Sequence, residues 1–361
     1  MEKKLATRQD IAQKAGTSVS VVSRALNNSG YVAREKKEKI LKIADELNYA
    51  PNPVAISLQK KRTRQILFYC KNVDNAFNIQ LYKGMLDVAV DRGYMVLFNG
   101  QIAFEEIKST LVDGIIMQDQ SVARFYLENY GKNYHLPVVS ASYSDNLHTS
   151  HPLPVVDVDM FKVAETALEY LWKLGHRRIA VGMPYILQDG QARGIAWNAW
   201  MKDRGMKNTE DYYIAVTRRD PRLKCDERMK SFREEVAEEW VTVSEDFFGK
   251  GVLAAHLWRE RGMDATAILG FNDDFALGLI RGFQEMGMKV PEDISVMGID
   301  GIDTRKYVTP LLSTVSVFPR SQGAKCAEVL LDIIEGKKFR YVNHAGFRLI
   351  EADSVRNIKR F

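Results

Sequence analysis

The chain has 361 residues, 46% of them hydrophobic, which is enough for two or three domains and a sizeable core. No run of about 18 apolar residues is present and the N-terminus holds no apolar signal core, which excludes a membrane-spanning helix and leads us to expect a cytoplasmic protein. Three cysteines, Cys70, Cys225 and Cys326, are scattered without metal-ligand spacing and fit free thiols in a reducing compartment. The net charge of +5 is unevenly spread: residues 1–62 carry 13 Lys and Arg against 6 Asp and Glu, a local excess of +7, and the remainder is at −2. A basic head on a near-neutral body is the asymmetry expected when only the head meets a polyanion such as nucleic acid. A solvated helical face would give the same excess.

Residues 5–32 carry two short helical patterns separated by a tight turn. Thr7 is placed to cap the first, with Asp10 three residues on, and Gly16 ends it. Ser18 is placed to cap the second, whose apolar residues Val19, Val22, Ala25 and Leu26 recur at helical spacing until Asn27, Asn28, Ser29 and Gly30 break the pattern. This is the order of a helix-turn-helix DNA reader, and a helical hairpin that merely packs is the competing reading. A third helix over 34–47 puts Ile40, Leu41, Ala44 and Leu47 on one face. Ala33 stands where a capping side chain is preferred, so this helix starts weakly. Tyr49 leads into Pro51, Asn52 and Pro53; Asn52 can cap and Pro53 suits a first helical position, so the stretch PNPVAISLQKK reads as a short helix on a stiff elbow.

From Arg64 onward strand and helix patterns alternate. Apolar runs at 66–70, 94–98, 115–118, 178–182, 213–216, 267–270 and 295–298 are separated by helical periods that include 79–92, 161–174, 192–203, 249–261 and 275–286. Such alternation implies parallel strands with crossover helices, here as two α/β subdomains with a cleft between them.

Several stretches, DIAQKAGTS, VVSRALN, ELNYAPN and VAISL near the front, then VDGII (112–116), LGHRRIAV (174–181), AILGFNDDFALG (267–278) and PEDISVMGID (291–300), occur in an order and at a spacing that resembles the LacI/GalR family of bacterial transcription regulators. The resemblance runs from about residue 5 to about residue 350. It implies an all-α helix-turn-helix head over 1–50 and a hinge helix or linker over 51–63. The α/β core would have two Rossmann-like, periplasmic-binding-protein-like subdomains, one of 64–160 plus about 317–343 and the other of 161–316 plus about 344–361. The expected partners are a pseudo-palindromic double-stranded operator, a second copy of the chain and a small-molecule effector; no cofactor, metal or membrane is expected. The tail 351–361 lacks leucine heptads, so no coiled-coil tetramer is expected.

If the second helix enters the major groove, Val19, Ser20 and Arg24 face base edges. Val19 suits a thymine methyl, or else burial in the head; Arg24 suits a bidentate guanine contact, or else a phosphate. Thr7, Ser18, Ser23 and Asn27 are assigned to phosphates, since short hydroxyl and amide groups position without specifying. Val21 departs from the hydroxyl residue the family usually has. The resemblance further implies that residues 52–59, capped by Asn52, order on the operator and pair with their twin. Small Ala55 would let the two hinge helices approach and Leu58 would wedge into the minor groove, with Leu58 as a simple packing residue the alternative.

For the effector, the resemblance maps Arg193, Asn272, Asp273 and Asp300 onto the family's sugar-binding positions. All four stand near the carboxyl ends of predicted strands, where open α/β sheets bind ligands. Asp273 could equally cap the helix that follows. Ser142 replaces a residue that is often acidic, and Val317 and Pro319 replace polar and aromatic contacts. Phe77, Tyr185, Phe247 and Trp197 are available to stack on a sugar or to fill a core. A sugar is the expected effector; a purine, a phosphosugar or a protein corepressor is the alternative.

An enzyme and a solute-binding protein are the readings from other classes. The chain lacks a dinucleotide-binding glycine fingerprint, a P-loop, a nucleophile elbow and a zincin motif. His148 and His151 read as a solvated loop rather than metal ligands, and Asp157 with Asp159 as strand or turn solvation rather than an acid/base dyad. A transport protein would have no use for the basic head.

Overall fold

The chain divides into two compact units, Met1–Thr63 and Arg64–Phe361. The computed structural model describes residues 6–51, 62–70, 75–99, 110–118, 122, 123, 126, 129, 136–141, 153–217 and 247–359.

The first unit holds three helices, α1 (Arg8–Ala15), α2 (Val19–Leu26) and α3 (Arg34–Glu46). Thr7 and Asp10 form a reciprocal cap on α1: the carboxylate accepts from the Thr7 N–H at 2.8 Å and the Thr7 hydroxyl oxygen accepts from the Asp10 N–H at 3.3 Å. Gly16, at φ +65°, closes that helix in the left-handed region. Ser18 caps α2 by accepting from the Val21 N–H at 3.4 Å, whereas Ala33 gives α3 no side-chain cap. Ile11, Ala12, Ala15, Val22, Ala25, Ile40, Ile43 and Ala44 make the core of the head. Val19, the first residue of α2, is 43% exposed and so is not buried in the head. One apolar expectation needs correction: Leu41 is 44% exposed, because the buried face of α3 runs through Ile40, Ile43 and Ala44.

The second unit contains two six-stranded sheets. The first runs in the order β11-β5-β4-β3-β1-β2, with β1 at Gln65–Tyr69, β2 at Met95–Asn99, β3 at Gly114–Met117, β4 at Val138–Ser140, β5 at Val155–Asp157 and β11 at Val342–His344; every pairing is parallel. The second runs β12-β10-β9-β8-β6-β7, with β6 at Ile179–Met183, β7 at Tyr213–Ala215, β8 at Ala267–Gly270, β9 at Ser295–Asp300, β10 at Ser313–Ser316 and β12 at Arg348–Ile350. Only β12 is antiparallel to its neighbour. Because β1 to β5 and β11 share one sheet while β6 to β10 and β12 share the other, the chain passes between sheets three times.

Helices α4 (Ala76–Asp91) and α9 (Pro319–Ile334) pack together at the first sheet; α5 (Met160–Lys173), α6 (Ala192–Asp203), α7 (Phe247–Glu260) and α8 (Asp273–Glu285) serve the second. Glycines let the helix pairs touch backbone to backbone. A Cβ at Gly84 of α4 would fall on the Arg320 carbonyl of α9, and one at Gly323 on the Leu81 carbonyl; Gly251 and Gly278 make the same close approach between α7 and α8.

Candidate functional site

Two surfaces carry the side chains singled out from the sequence, one in each unit. In the head, Ser20 and Arg24 of α2 are exposed alongside Val19, and no acidic side chain occupies the first turn of that helix. Its electropositive N-terminus therefore presents Ser18, Val19 and Ser20 to any anionic partner. The Arg24 stem lies against Gly30, whose added Cβ would stand 3.3 Å from Arg24 Cδ.

Some of the short polar groups are already engaged. Ser23 Oγ accepts from an Arg8 guanidinium N–H and from the Asn27 side-chain amide, each at 3.3 Å, while Arg8 Nε donates to the Tyr49 hydroxyl at 3.1 Å. The Thr7 hydroxyl donates to the Asp10 carboxylate at 2.7 Å. Thr7, Ser23 and Asn27 thus brace the head besides facing outward. Tyr31, 87% exposed in the turn before α3, escaped the sequence reading because a lone aromatic in a loop has no period to mark it. Asn52, Ala55 and Leu58 lie outside the described residues.

In the body, the carboxyl ends of β6, β8 and β9 converge. Arg193, the second residue of α6, points a guanidinium nitrogen at Asp300 Oδ1 across 3.5 Å, and Asp300 ends β9. Both are buried, and the Arg193 guanidinium lies 4.3 Å from the centroid of the Phe271 ring. Phe271 follows β8 directly and packs against Tyr185 and Phe247, at ring separations of 5.6 and 5.3 Å. Tyr185 is held in turn by the Tyr213 hydroxyl, which donates to its carbonyl at 3.0 Å.

Asp300 has φ +125°, a conformation rare for a residue with a side chain, and its carbonyl accepts from the Val317 N–H at 3.1 Å. Burial pushes its carboxyl well above the usual range, Arg193 pulls it down, and Asp273 and Asp274 push it further up. A cation, a carboxyl group and aromatic faces are what a ligand with vicinal hydroxyls or a planar ring would engage.

The remaining expected effector residues divide. Asn272 is the N-cap of α8, accepting from the Phe275 N–H at 2.9 Å, and the helix begins at Asp273 rather than at Phe275. Asp273 is therefore not the cap. It is fully buried and accepts from the Gly301 and Ile302 N–H groups at 2.7 and 2.9 Å and from the Thr314 hydroxyl at 2.5 Å. Its carboxyl stitches the start of α8 to the segment after β9 and to β10. Burial lifts its pKa to about 7 against the pull of those donors.

Phe77, at the start of α4, is 5% exposed, and Trp197 is fully buried with its indole N–H donating to the Ile179 carbonyl at 3.1 Å; both fill the core. Asp159 caps α5, accepting from the Lys162 N–H at 3.1 Å. Ser142, His148 and His151 lie outside the described residues. Phe271 is the site residue the sequence reading missed; its signal was an aromatic immediately after a strand and before the Asn272–Asp273 pair. Among the described residues there is no cluster of metal-ligating side chains and no helix long and apolar enough to cross a membrane.

Comparison with known proteins finds a family match in each unit. Residues 7–52 match the bacterial regulatory proteins of the lacI family, and residues 168–355 match the periplasmic binding protein-like domain. The chain belongs to the LacI family. As a LacI-family transcription regulator it joins a helix-turn-helix DNA-binding domain to an effector-binding domain.

The HTH-type transcriptional repressor PurR of Vibrio cholerae is 28% identical over 370 residues, covering 98% of this chain and 99% of that protein. A Lac repressor dimer bound to operator and the anti-inducer ONPF shares the fold, with a TM-score of 0.75 at 22% identity over 98% of this chain and all of the other. A LacI family regulator from Enterococcus faecium with bound ribose superposes with a TM-score of 0.63 at 21% identity, covering 82% of this chain and all of its own. The LacI-family relatives named here are regulators, and PurR is a repressor rather than an enzyme.

Proposed function

We propose that this LacI-family chain is a cytoplasmic, homodimeric repressor of sugar-utilisation genes. It reads a pseudo-palindromic operator through Val19, Ser20 and Arg24 of α2 and changes its operator affinity when a small sugar binds at Arg193 and Asp300. The observation that carries the effector reading is the buried Arg193–Asp300 pair beside the Phe271 ring. A guanidinium and a carboxyl group side by side offer donors and an acceptor at the spacing of adjacent hydroxyls, and an aromatic face covers the apolar face of a sugar ring. The core would span 64–160 with about 317–343 as one subdomain and 161–316 with about 344–361 as the other. Ligand seated between them biases their relative rotation and, through residues 51–63 with Asn52, Ala55 and Leu58, the heads.

A second reading has its own support. Phe271, Tyr185 and Phe247 form a cluster able to stack on a planar base, and PurR repressors are among the relatives, which favours a purine-type corepressor. A thermal-shift screen of sugars, sugar phosphates and purines decides between them, because a ligand that binds only the folded state raises the melting temperature. A stabilising sugar that also alters DNA binding is the expected result. A response to purines alone would establish the second reading, and a response to sugar phosphates alone would place a phosphate-binding group at the site.

A further inference from the structure

Residue 64 opens the body and is not glycine, yet its φ is +59°, in the left-handed region. A residue with a side chain stays there when its neighbours over-determine it. The Arg64 N–H donates to Asp113 Oδ2 at 3.0 Å and the Arg64 carbonyl accepts from the Met95 N–H at 2.9 Å. Asp113, just ahead of β3, also gives its own N–H to the Gln65 carbonyl at 2.7 Å, so one residue grips two successive positions at the start of β1. The Arg64 guanidinium donates to the Arg92 carbonyl at 3.3 Å and lies 5.0 Å from the centroid of the Tyr94 ring. Arg92 in turn is ion-paired with Asp332 at 2.9 Å and with Glu335 at 2.5 Å, at the end of α9. Glycine would satisfy the turn alone. Arginine adds a side chain that reaches Arg92, and through it the far end of the helix whose N-terminus follows the Asp300–Val317 contact.

We propose that Arg64 is a positioning residue for operator binding: held by Asp113 and Arg92, it fixes the direction in which the chain leaves the body toward the DNA-binding domain, and ties that direction to α9. Rotating that one φ from the left-handed to the extended region changes the heading of Arg62 and Thr63, the residues immediately before it, while β1 stays in its sheet. A fixed departure restricts the half-site spacing that two heads can span; a loose one lets the linker accommodate several. The inference rests on the reading of the chain as a dimer on palindromic DNA.

The test uses the full-length chain and a duplex selected by the unmodified protein from a random library. Affinity for that duplex is compared, at one salt concentration, with affinity for the same duplex carrying two base pairs inserted at its centre. Arg64→Gly keeps the left-handed turn and so remains folded while losing the side-chain contacts; Asp113→Ala removes the grip on the Arg64 N–H. The unmodified protein is expected to discriminate on the order of 100-fold between the two duplexes, and each variant less than about 10-fold. A loss of fold alone would weaken both duplexes equally and leave the ratio unchanged. A selected palindrome with an unaltered ratio in Arg64→Gly, its melting temperature preserved, would overturn the clamp alone. Selection of no palindrome by the unmodified protein would overturn the dimeric reading and the clamp with it.

Discussion

Arg193 and Asp300 face one another at 3.5 Å with less than a tenth of either exposed. Removing one partner of a buried pair leaves the other without its counter-charge, which costs about 3–5 kcal/mol, whereas replacing both is far milder. Arg193→Ala is therefore expected to lower the stability of the body as well as to abolish the effector response, and the double variant Arg193→Met with Asp300→Asn to recover much of the stability but not the response. Urea denaturation of the single and double variants measures the coupling; additive losses would show that the two groups do not interact.

Val19 and Arg24 are exposed on α2, so their truncation should change DNA preference without unfolding the head. Val19→Ala and Arg24→Ala are expected to stay within about 0.5 kcal/mol in stability. Arg24→Ala should relax base choice at one position of each half-site by about 1–3 kcal/mol if it reads guanine. Lys60 and Lys61, which end the stretch PNPVAISLQKK, are expected by their charge to meet phosphate, so replacing them should instead weaken binding to all sequences and flatten its salt dependence. Binding titrations across single-base operator variants at two salt concentrations separate the cases, and an equal loss of preference from both changes would refute the assignment.

The caps of the head differ in quality, and the difference is measurable. Thr7→Ala breaks the reciprocal bond with Asp10 and should cost about 1 kcal/mol. Ala33→Ser should supply the cap that α3 lacks and stabilise it by a similar amount. Hydrogen exchange of the α1 and α3 amides in the full-length protein reads both effects, with opposite signs.

His176 is fully buried between the Thr266 hydroxyl at 2.9 Å and the Arg356 carbonyl at 3.1 Å, and burial lowers its pKa to about 4. The unfolded chain, with an ordinary histidine pKa of about 6.5, binds a proton that the folded protein refuses in that window. Its contribution is thus intact above about pH 6.5, is lost as the pH falls toward 4, and changes no further below that. The loss is at most about 3 kcal/mol. Urea midpoints between pH 7 and 4 should fall less steeply in His176→Gln; an identical slope would assign the acid sensitivity to other groups.

Gly84 and Gly323 seat α4 against α9, and a methyl at either would meet a carbonyl of the other helix. Gly84→Ala is expected to lose about 3 kcal/mol or more, beyond its small gain in helix propensity. Gly205, in open space at φ +88°, is the contrasting site: Gly205→Asn should be tolerated, since asparagine adopts that conformation more readily than other side chains. Melting temperatures of the two variants make the comparison.

What the sequence disclosed follows the range over which each interaction acts. The Thr7–Asp10 cap and the Gly16 stop depend on neighbours within one turn, and inner strands of both sheets such as β1, β3, β6, β8 and β9 are apolar runs bounded by breaks, so both were legible. Helix α9 was not, because its buried face is built from Pro319, Gln322, Gly323, Cys326 and Ala327 before any leucine appears, and its partner α4 lies more than 200 residues earlier. The edge strands β11 and β12 expose Val342 and Arg348, so no apolar run marks them. Arg193 and Asp300 could be placed by resemblance, whereas Asp273's structural role depends on Gly301, Ile302 and Thr314, which only the folded chain brings to it.

The way α9 and β11 complete the first sheet also dictates an order of assembly. The head has all its packing partners once its third helix is made, so it can fold while most of the polypeptide is still being synthesised. The first half of the body cannot: α4 and β5 wait for partners that leave the ribosome near the end of translation. Throughout that interval the apolar underside of α4 and the open edge of β5 stay uncovered, surface of the kind through which incomplete chains aggregate, and a chain terminated before residue 319 is unable to finish either sheet.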